Sequence, residues 1–147
     1  MNFTIKNSQI KLFAEFLLSL ELRGKESRLR TRFVKLLDEQ LKLIQEETTL
    51  LAKEHCALDE EGKPKTITLD NGIQHYDVKN IAAWTKDINE LYEEELVISG
   101  DGKKTMLLAI QDAVLNCDKL FSGQEALRYD EWCSLVEDMV ESKENDI

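Results

Sequence analysis

The stretch ESRLRTRFVKLLDEQLKLIQEETTLLAKEH, residues 26–55, decides the fold because it contains neither proline nor glycine. It predicts one uninterrupted helix that begins near Glu26 or Ser27 and ends at about His55. At about 1.5 Å per residue this helix is roughly 45 Å long, which exceeds the usual length in globular proteins. Such a helix needs an apolar partner along its side, because packing rather than helix propensity supplies most of its stability.

Apolar residues recur along this helix at alternating steps of three and four. The resulting seam consists of Val34, Leu37, Leu41, Ile44, Thr48, Leu51 and His55. This spacing corresponds to the a and d positions of a heptad repeat. A seam of about three heptads lies at the lower limit for a coiled coil. Two alternatives therefore stay open: the seam packs against a later helix of the same chain, or it forms a homodimer.

Helix signals elsewhere predict four shorter helices. Short polar side chains favour helix starts, and glycine favours helix ends. The expected boundary residues are Asn7 or Ser8 and Gly24 for the first helix, Asp77 for the start of the third, and Ser122 with Glu125, as a capping box, for the start of the fifth.

A β-hairpin is predicted where Asn71-Gly72 separates the β-prone runs 66–69 and 73–76, because Asn-Gly tolerates the positive φ angles of a tight turn. Phe3 with Ile5 allows a short strand, and residues 96–98 are also β-prone. The predicted fold class is mainly α, with about five helices including one long helix, and a small β-hairpin. We expect one domain over 1–147, in which 26–95 form a helical hairpin with the β-hairpin at its tip, and 141–147 fray.

Composition and cysteine usage restrict the class of protein. A chain of 147 residues with 42% hydrophobic and 33% charged residues is typical of one folded domain. Its apolar runs are shorter than the roughly 18 residues of a membrane span, and no signal-peptide pattern is present. Three cysteines without a Cys-x-x-Cys pair favour reduced thiols in a cytoplasm over disulfides or zinc.

The charges are distributed unevenly along the chain. Residues 1–58 carry 10 Lys and Arg against 8 Asp and Glu, whereas residues 59–147 carry 9 against 21. Five of these 10 basic residues lie close together in the sequence and are the candidate binding residues: Arg23, Arg28, Arg30, Arg32 and Lys35. Two interpretations stay open. The acidic half of the same molecule pairs with them, or they form a docking face for an acidic protein or a phosphate backbone.

Other polar groups indicate no chemistry at this level. The acidic run Glu93-Glu94-Glu95 is interpreted as a solvated helix end, and His55, Cys56 and His75 lack ligand or catalytic spacing. We therefore expect no catalytic residue, no metal site and no cofactor. The last predicted helix carries mostly acidic side chains, and the net charge is −10, so direct DNA binding is not expected.

Three segments carry a resemblance to a known family. They are LRGKESRLRTRF at 22–33, LVI at 96–98, and LNCD at 115–118 followed by SGQEA at 122–126 and YD at 129–130. In this order the chain resembles a family of small, uncharacterised proteins encoded by tailed phages and prophages of Gram-positive bacteria. The resemblance runs nearly end to end and implies a role in virion assembly or in the infected cell. It implies no activity, cofactor or catalytic residue.

Two functional hypotheses follow from these features. The first is a non-enzymatic phage or prophage accessory protein that acts through contacts with a phage or host protein, in tail or virion assembly. It is expected in the host bacterial cytoplasm, with virion association left open. The alternative is an acidic inhibitor that imitates a phosphate backbone toward a host nucleic-acid-binding or defence protein. No contact with a membrane is expected in either case.

Overall fold

The computed structural model describes residues 1–139 and confirms the predicted fold class. In chain order the helices and strands are β1 (Asn2–Lys6), α1 (Asn7–Leu18), α2 (Gly24–His55), β2 (Thr66–Thr68), β3 (Gln74–Tyr76), α3 (Ile81–Glu93), β4 (Glu95–Ser99), a short 3₁₀ helix (Asp101–Lys103), α4 (Lys104–Leu115) and α5 (Gly123–Glu137). Strands β1 and β4 form one antiparallel pair, and β2 and β3 form another.

The chain divides into two compact units where the sequence predicts one domain. The first unit contains residues 1–40 and the described residues from 95 onward, and the second contains Leu41–Glu94. The long helix α2 contributes residues to both. Within the predicted range 26–95, the structure has α2, the β-hairpin and α3 in the expected order. The tail 141–147 lies outside the described residues.

An aromatic cluster forms the core of the first unit. The ring of Phe3 packs on the rings of Phe13 and Phe33, with centroids 5.6 Å and 5.1 Å away. Trp132 of α5 lies 5.2 Å from Phe13. All four side chains are buried, and edge-to-face or stacked aromatic pairs add to the stability that burial provides. Strand β1 and helices α1, α2 and α5 therefore share one core.

Strand β1 alternates buried and exposed residues, as a strand with one covered face does. Its buried Phe3 lies opposite Ile98 of β4, and Ile5 lies opposite Leu96. The partners are more than ninety residues apart in sequence. This pairing explains both β-prone segments, which the sequence left without partners.

The second unit joins the β-hairpin to the end of α2 by backbone hydrogen bonds. The Ala57 amide donates to the Asp77 carbonyl (3.0 Å), the Asp77 amide to the Lys65 carbonyl (2.9 Å), and the Lys65 amide to the Ala57 carbonyl (2.7 Å). Both hairpin strands are largely exposed. The turn is closed by Gly72, whose φ of 83° is the positive angle that the Asn-Gly signal predicts.

The seam of α2 is covered within the single chain. Val34, Leu37 and Ile44 are buried, while Leu41 and Leu51 are partly exposed. Of the two alternatives, this burial favours packing within the chain over a homodimer through the seam.

Two boundary predictions for the early helices are wrong. Gly24 begins α2 rather than ending α1, because its φ is not in the positive range that a helix-terminating glycine adopts. Asn7 lies inside α1 and is buried, and its Oδ1 accepts a hydrogen bond from Gln40 Nε2 (3.0 Å). Lys6 stands at the N-cap position instead, so Ser8 does not cap the helix either.

Of the two later capping predictions, the one for α3 is wrong, and the one for α5 is right in its position but wrong in its hydrogen bonds. Asp77 cannot cap α3 because its backbone belongs to the hairpin network described above. Asn80 caps that helix, with its Oδ1 accepting from the Ala83 amide (3.1 Å). Ser122 does occupy the N-cap of α5, but its hydroxyl accepts no capping hydrogen bond, and Gly123 follows with a φ of 58°.

We predict that Phe33→Ala destabilises the protein by about 3–5 kcal/mol, because it removes a fully buried ring from the aromatic cluster. Leu18→Ala is the matched control, since Leu18 is 58% exposed on α1, and it should cost less than about 0.5 kcal/mol. Urea unfolding followed by circular dichroism measures both. Equal unfolding midpoints for the two variants would contradict the assigned core.

Candidate functional site

Four basic side chains of the first unit form an exposed group that we call the basic face: Arg23, Arg28, Arg32 and Lys35. Arg28, Arg32 and Lys35 follow one another at helical steps of four and three on α2, and Arg23 directly precedes the helix. No residue between 1 and 139 forms a hydrogen bond or an ion pair with the side chain of any of the four. In this part of the chain, the acidic residues therefore do not neutralise the basic face.

The opposite side of the same helix segment is apolar. Leu29, Phe33 and Leu37 are buried there, whereas Arg28 and Arg32 are exposed. Successive residues of a helix are separated by about 100°, so burying one arc fixes which side chains point outward. The core of the unit thus holds the basic face toward solvent on a rigid helix.

Arg30 does not belong to the basic face, although the sequence predicts it as a binding residue with the others. Its Nη1 donates to the carbonyl oxygens of Leu17 (2.8 Å) and Leu20. The side chain therefore gives a charged donor to carbonyl groups at and just beyond the end of α1, where the Leu17 carbonyl also accepts from the Leu20 amide (3.2 Å). A sequence signal for this role exists: Arg30 stands three residues before Phe33, on the buried arc.

The second unit contains a groove of opposite charge, which we call the acidic groove. Its cavity has a volume of about 410 Å³. It is lined by Glu47, Leu50, Leu51, Glu54, Asp87, Glu90, Leu91 and Glu94, with no basic side chain among them. Residues 41–94 carry 6 Lys and 12 Asp and Glu. The groove therefore combines an apolar floor with a negative rim.

A histidine lies beside this groove in contact with an acid. His55 Nε2 is 2.6 Å from Asp87 Oδ2, and a carboxylate oxygen of Glu54 lies within 4.8 Å of both. This cluster is not apparent from the sequence, because His55 and Asp87 are 32 residues apart. The signal that could have found it is the position of Asp87, which lies three residues after Trp84 and four before Leu91 and therefore on the same face of α3.

The thiol beside this histidine is unsuited to nucleophilic catalysis. Burial, with a contribution from Asp77, raises the pKa of the Cys56 thiol. Catalytic thiols have lowered pKa values, because the thiolate is the nucleophile. The second histidine, His75, is exposed in β3.

The first unit also has an aromatic pocket of about 270 Å³ between α1 and α5. Phe121 stacks on Tyr129 at 4.4 Å, and Phe16 lies 5.9 Å from Tyr129. Tyr129 donates its hydroxyl to the Val114 carbonyl (2.6 Å), and burial, followed by interactions with Cys133, raises the pKa of Tyr129 to about 12. The phenol therefore stays protonated and anchors α5 to α4.

Comparison of the chain with known proteins identifies no relative. No family model, no curated protein and no solved structure matches the chain. The likeness to phage and prophage proteins stays a prediction from the three sequence segments. No helix within residues 1–139 combines the length and the apolar character that crossing a membrane requires.

We predict that Arg30→Ala lowers the free energy of unfolding by about 1–3 kcal/mol, because it leaves the carbonyl groups of Leu17 and Leu20 without their charged donor. Arg32→Ala, which removes the same side chain from the basic face, should change it by less than about 0.5 kcal/mol. Chemical denaturation of both variants makes the comparison. If Arg32→Ala is the more destabilising change, the roles assigned to the two arginines are reversed.

Proposed function

We propose that this chain is a non-enzymatic accessory protein of a tailed phage or prophage and acts by docking an acidic protein surface on its basic face. The observation that carries the proposal is that the side chains of Arg23, Arg28, Arg32 and Lys35 have no hydrogen-bond or ion-pair partner within residues 1–139. The phage setting, the host cytoplasm and a place in tail or virion assembly rest on the sequence resemblance alone.

Physical chemistry favours a partner for this surface. Like charges at helical spacings of three and four repel by a few tenths of a kcal/mol per pair. Carboxylates of a partner would relieve this repulsion, and the planar guanidinium groups of Arg28 and Arg32 can bind them in a bidentate manner. A protein partner is favoured over nucleic acid, because the net charge of −10 repels the dense negative charge of a phosphate backbone more strongly than a local acidic patch on a protein.

The double charge reversal Arg28→Glu with Arg32→Glu tests the basic face. Both side chains are exposed and unpaired, so we expect the variant to fold normally and to bind its partner at least about tenfold more weakly, since several charge-assisted contacts turn repulsive. The partner is identified by affinity capture from infected cells, and binding of the purified partner is then titrated at two salt concentrations.

Lys42→Glu with Lys53→Glu is the matched control, because it makes the same change in net charge at exposed positions of the second unit. Control and wild type should bind alike. Equal loss of binding in the two double variants would show that net charge, and not the basic face, governs the contact.

A second candidate function is the acidic inhibitor of a basic host protein, and the acidic groove favours it. Glu47, Glu54, Glu90 and Glu94 have no ion-pair partner among residues 1–139. An apolar floor between carboxylates suits a helix or loop that presents both lysines and aliphatic side chains.

For this second function we expect affinity for a basic nucleic-acid-binding protein to fall steeply with salt. Glu90→Gln with Glu94→Gln should weaken that binding, whereas Glu46→Gln with Glu60→Gln, two exposed positions outside the groove lining, should leave it unchanged. Binding curves recorded at several ionic strengths decide the matter. Binding that is indifferent to salt would remove the inhibitor function.

A further inference from the structure

We propose that Glu54, His55 and Asp87 form a binding site for one divalent transition-metal ion of the zinc type. The ligand atoms of the three residues lie within 4.8 Å of one another, in the second unit. Glu54 and His55 belong to the last turn of α2, and Asp87 belongs to α3. The site therefore joins two helices, each of which holds its ligands in a defined position.

The donor set selects the class of ion. One imidazole nitrogen with two carboxylate oxygens suits Zn²⁺ and similar borderline ions, whereas Ca²⁺ and Mg²⁺ prefer oxygen ligands alone. Three protein ligands leave at least one coordination position for water. The acidic groove, with its cavity of about 410 Å³, is lined by both carboxylates of the set and offers room for that water.

The contact between His55 and Asp87 is compatible with an ion taking the place of a proton. At 2.6 Å, His55 Nε2 donates its hydrogen to Asp87 Oδ2. For the ion to bind, this hydrogen must leave Nε2: a neutral imidazole shifts to the tautomer with its single hydrogen on Nδ1, and an imidazolium releases the Nε2 proton to solvent and keeps the one on Nδ1. Metal–ligand bonds of about 2.1 Å at tetrahedral angles space neighbouring ligand atoms by roughly 3.4 Å, so Nε2 and Oδ2, which are 2.6 Å apart, need to separate by slightly less than about 1 Å.

The charges around the cluster independently favour a cation. Glu47, Glu90 and Glu94 line the same groove without an ion-pair partner among residues 1–139. Several unpaired carboxylates on an apolar floor produce a negative potential that a divalent ion relieves. The side chain of His55 is only 15% exposed, so its imidazole is largely removed from bulk water.

Neighbouring groups hold the imidazole in place. The rings of His55 and Trp84 pack edge to face with centroids 6.0 Å apart, and Trp84 in turn packs on Tyr76 at 5.7 Å. The His55 carbonyl accepts a hydrogen bond from the Lys79 amide (2.8 Å). A ligand whose orientation is fixed by its surroundings loses less freedom when the ion binds.

A structural ion pair between His55 and Asp87 is the competing explanation, and Glu54 separates it from a metal site. Glu54 takes no part in the hydrogen bond between His55 and Asp87. Glu54→Gln therefore leaves the pair intact but removes one metal ligand. His55→Gln keeps a hydrogen-bond donor toward Asp87 while deleting the imidazole ligand.

The experiment is a calorimetric titration of the full-length, reduced protein with ZnCl₂, together with its melting temperature in the presence and absence of Zn²⁺. The wild type should bind one ion per chain and melt at a higher temperature when the ion is bound. We expect Glu54→Gln to weaken binding on the order of tenfold and His55→Gln to weaken it by at least about a hundredfold. His75→Gln, which removes the exposed histidine of the same unit, should bind like the wild type.

The buried Cys56 next to His55 requires a separate measurement. Co²⁺ replaces Zn²⁺ as a spectroscopic probe, and the proposed site should give no thiolate-to-cobalt charge-transfer band. A strong band would assign the ion to a cysteine and overturn the proposal. So would the absence of Zn²⁺ binding to the wild type, unchanged binding by His55→Gln, or unchanged binding by Glu54→Gln, which would leave the cluster a structural ion pair.

Discussion

The burial of Phe33 against Phe3 and Phe13 fixes how the long helix is oriented in the first unit. A helix of 32 residues is held mainly by packing of its apolar side. Once Phe33 and its neighbours occupy the core, the helical period determines the direction of every other side chain in the segment. Arg28 and Arg32 must then be exposed, and Arg30 must face α1. One packing constraint thus produces both the basic face and the arginine that does not belong to it.

The helices themselves could be predicted because their signals are local. The absence of Pro and Gly over 26–55 and the spacing of apolar residues predict the start of α2 to within two or three residues and its end at His55, and Asn71-Gly72 marks the hairpin. The ends of the helices were harder to predict, because the same residue type occurs in several different structural positions. Gly24 can end or begin a helix, and Asp77 can cap a helix or join a strand, depending on partners that are distant in sequence.

For the candidate site, too, the parts that depend on spacing within one helix could be predicted, whereas the parts that depend on contacts between distant segments could not. The exposure of Arg28, Arg32 and Lys35 follows from their spacing on one helix. The pairing of β1 with β4, and of His55 with Asp87, depends on which segments meet after the chain has folded. The positions of charged residues along the sequence have no periodicity that indicates which distant segments will contact each other. A helical projection of α2 could have separated Arg30 from the other arginines, because it uses only positions within that helix.

The charge of the acidic groove couples the two ligands proposed for it. A divalent ion held by Glu54, His55 and Asp87 would neutralise part of the negative rim at a distance well within the Debye length of about 8 Å at physiological salt. A basic protein segment uses that same negative charge for its attraction. Each ligand must therefore weaken the binding of the other, by an amount that is equal in both directions because coupling free energies are reciprocal. If both proposals hold, the metal-free groove would suit a basic partner, and a bound ion would join α2 and α3 more firmly.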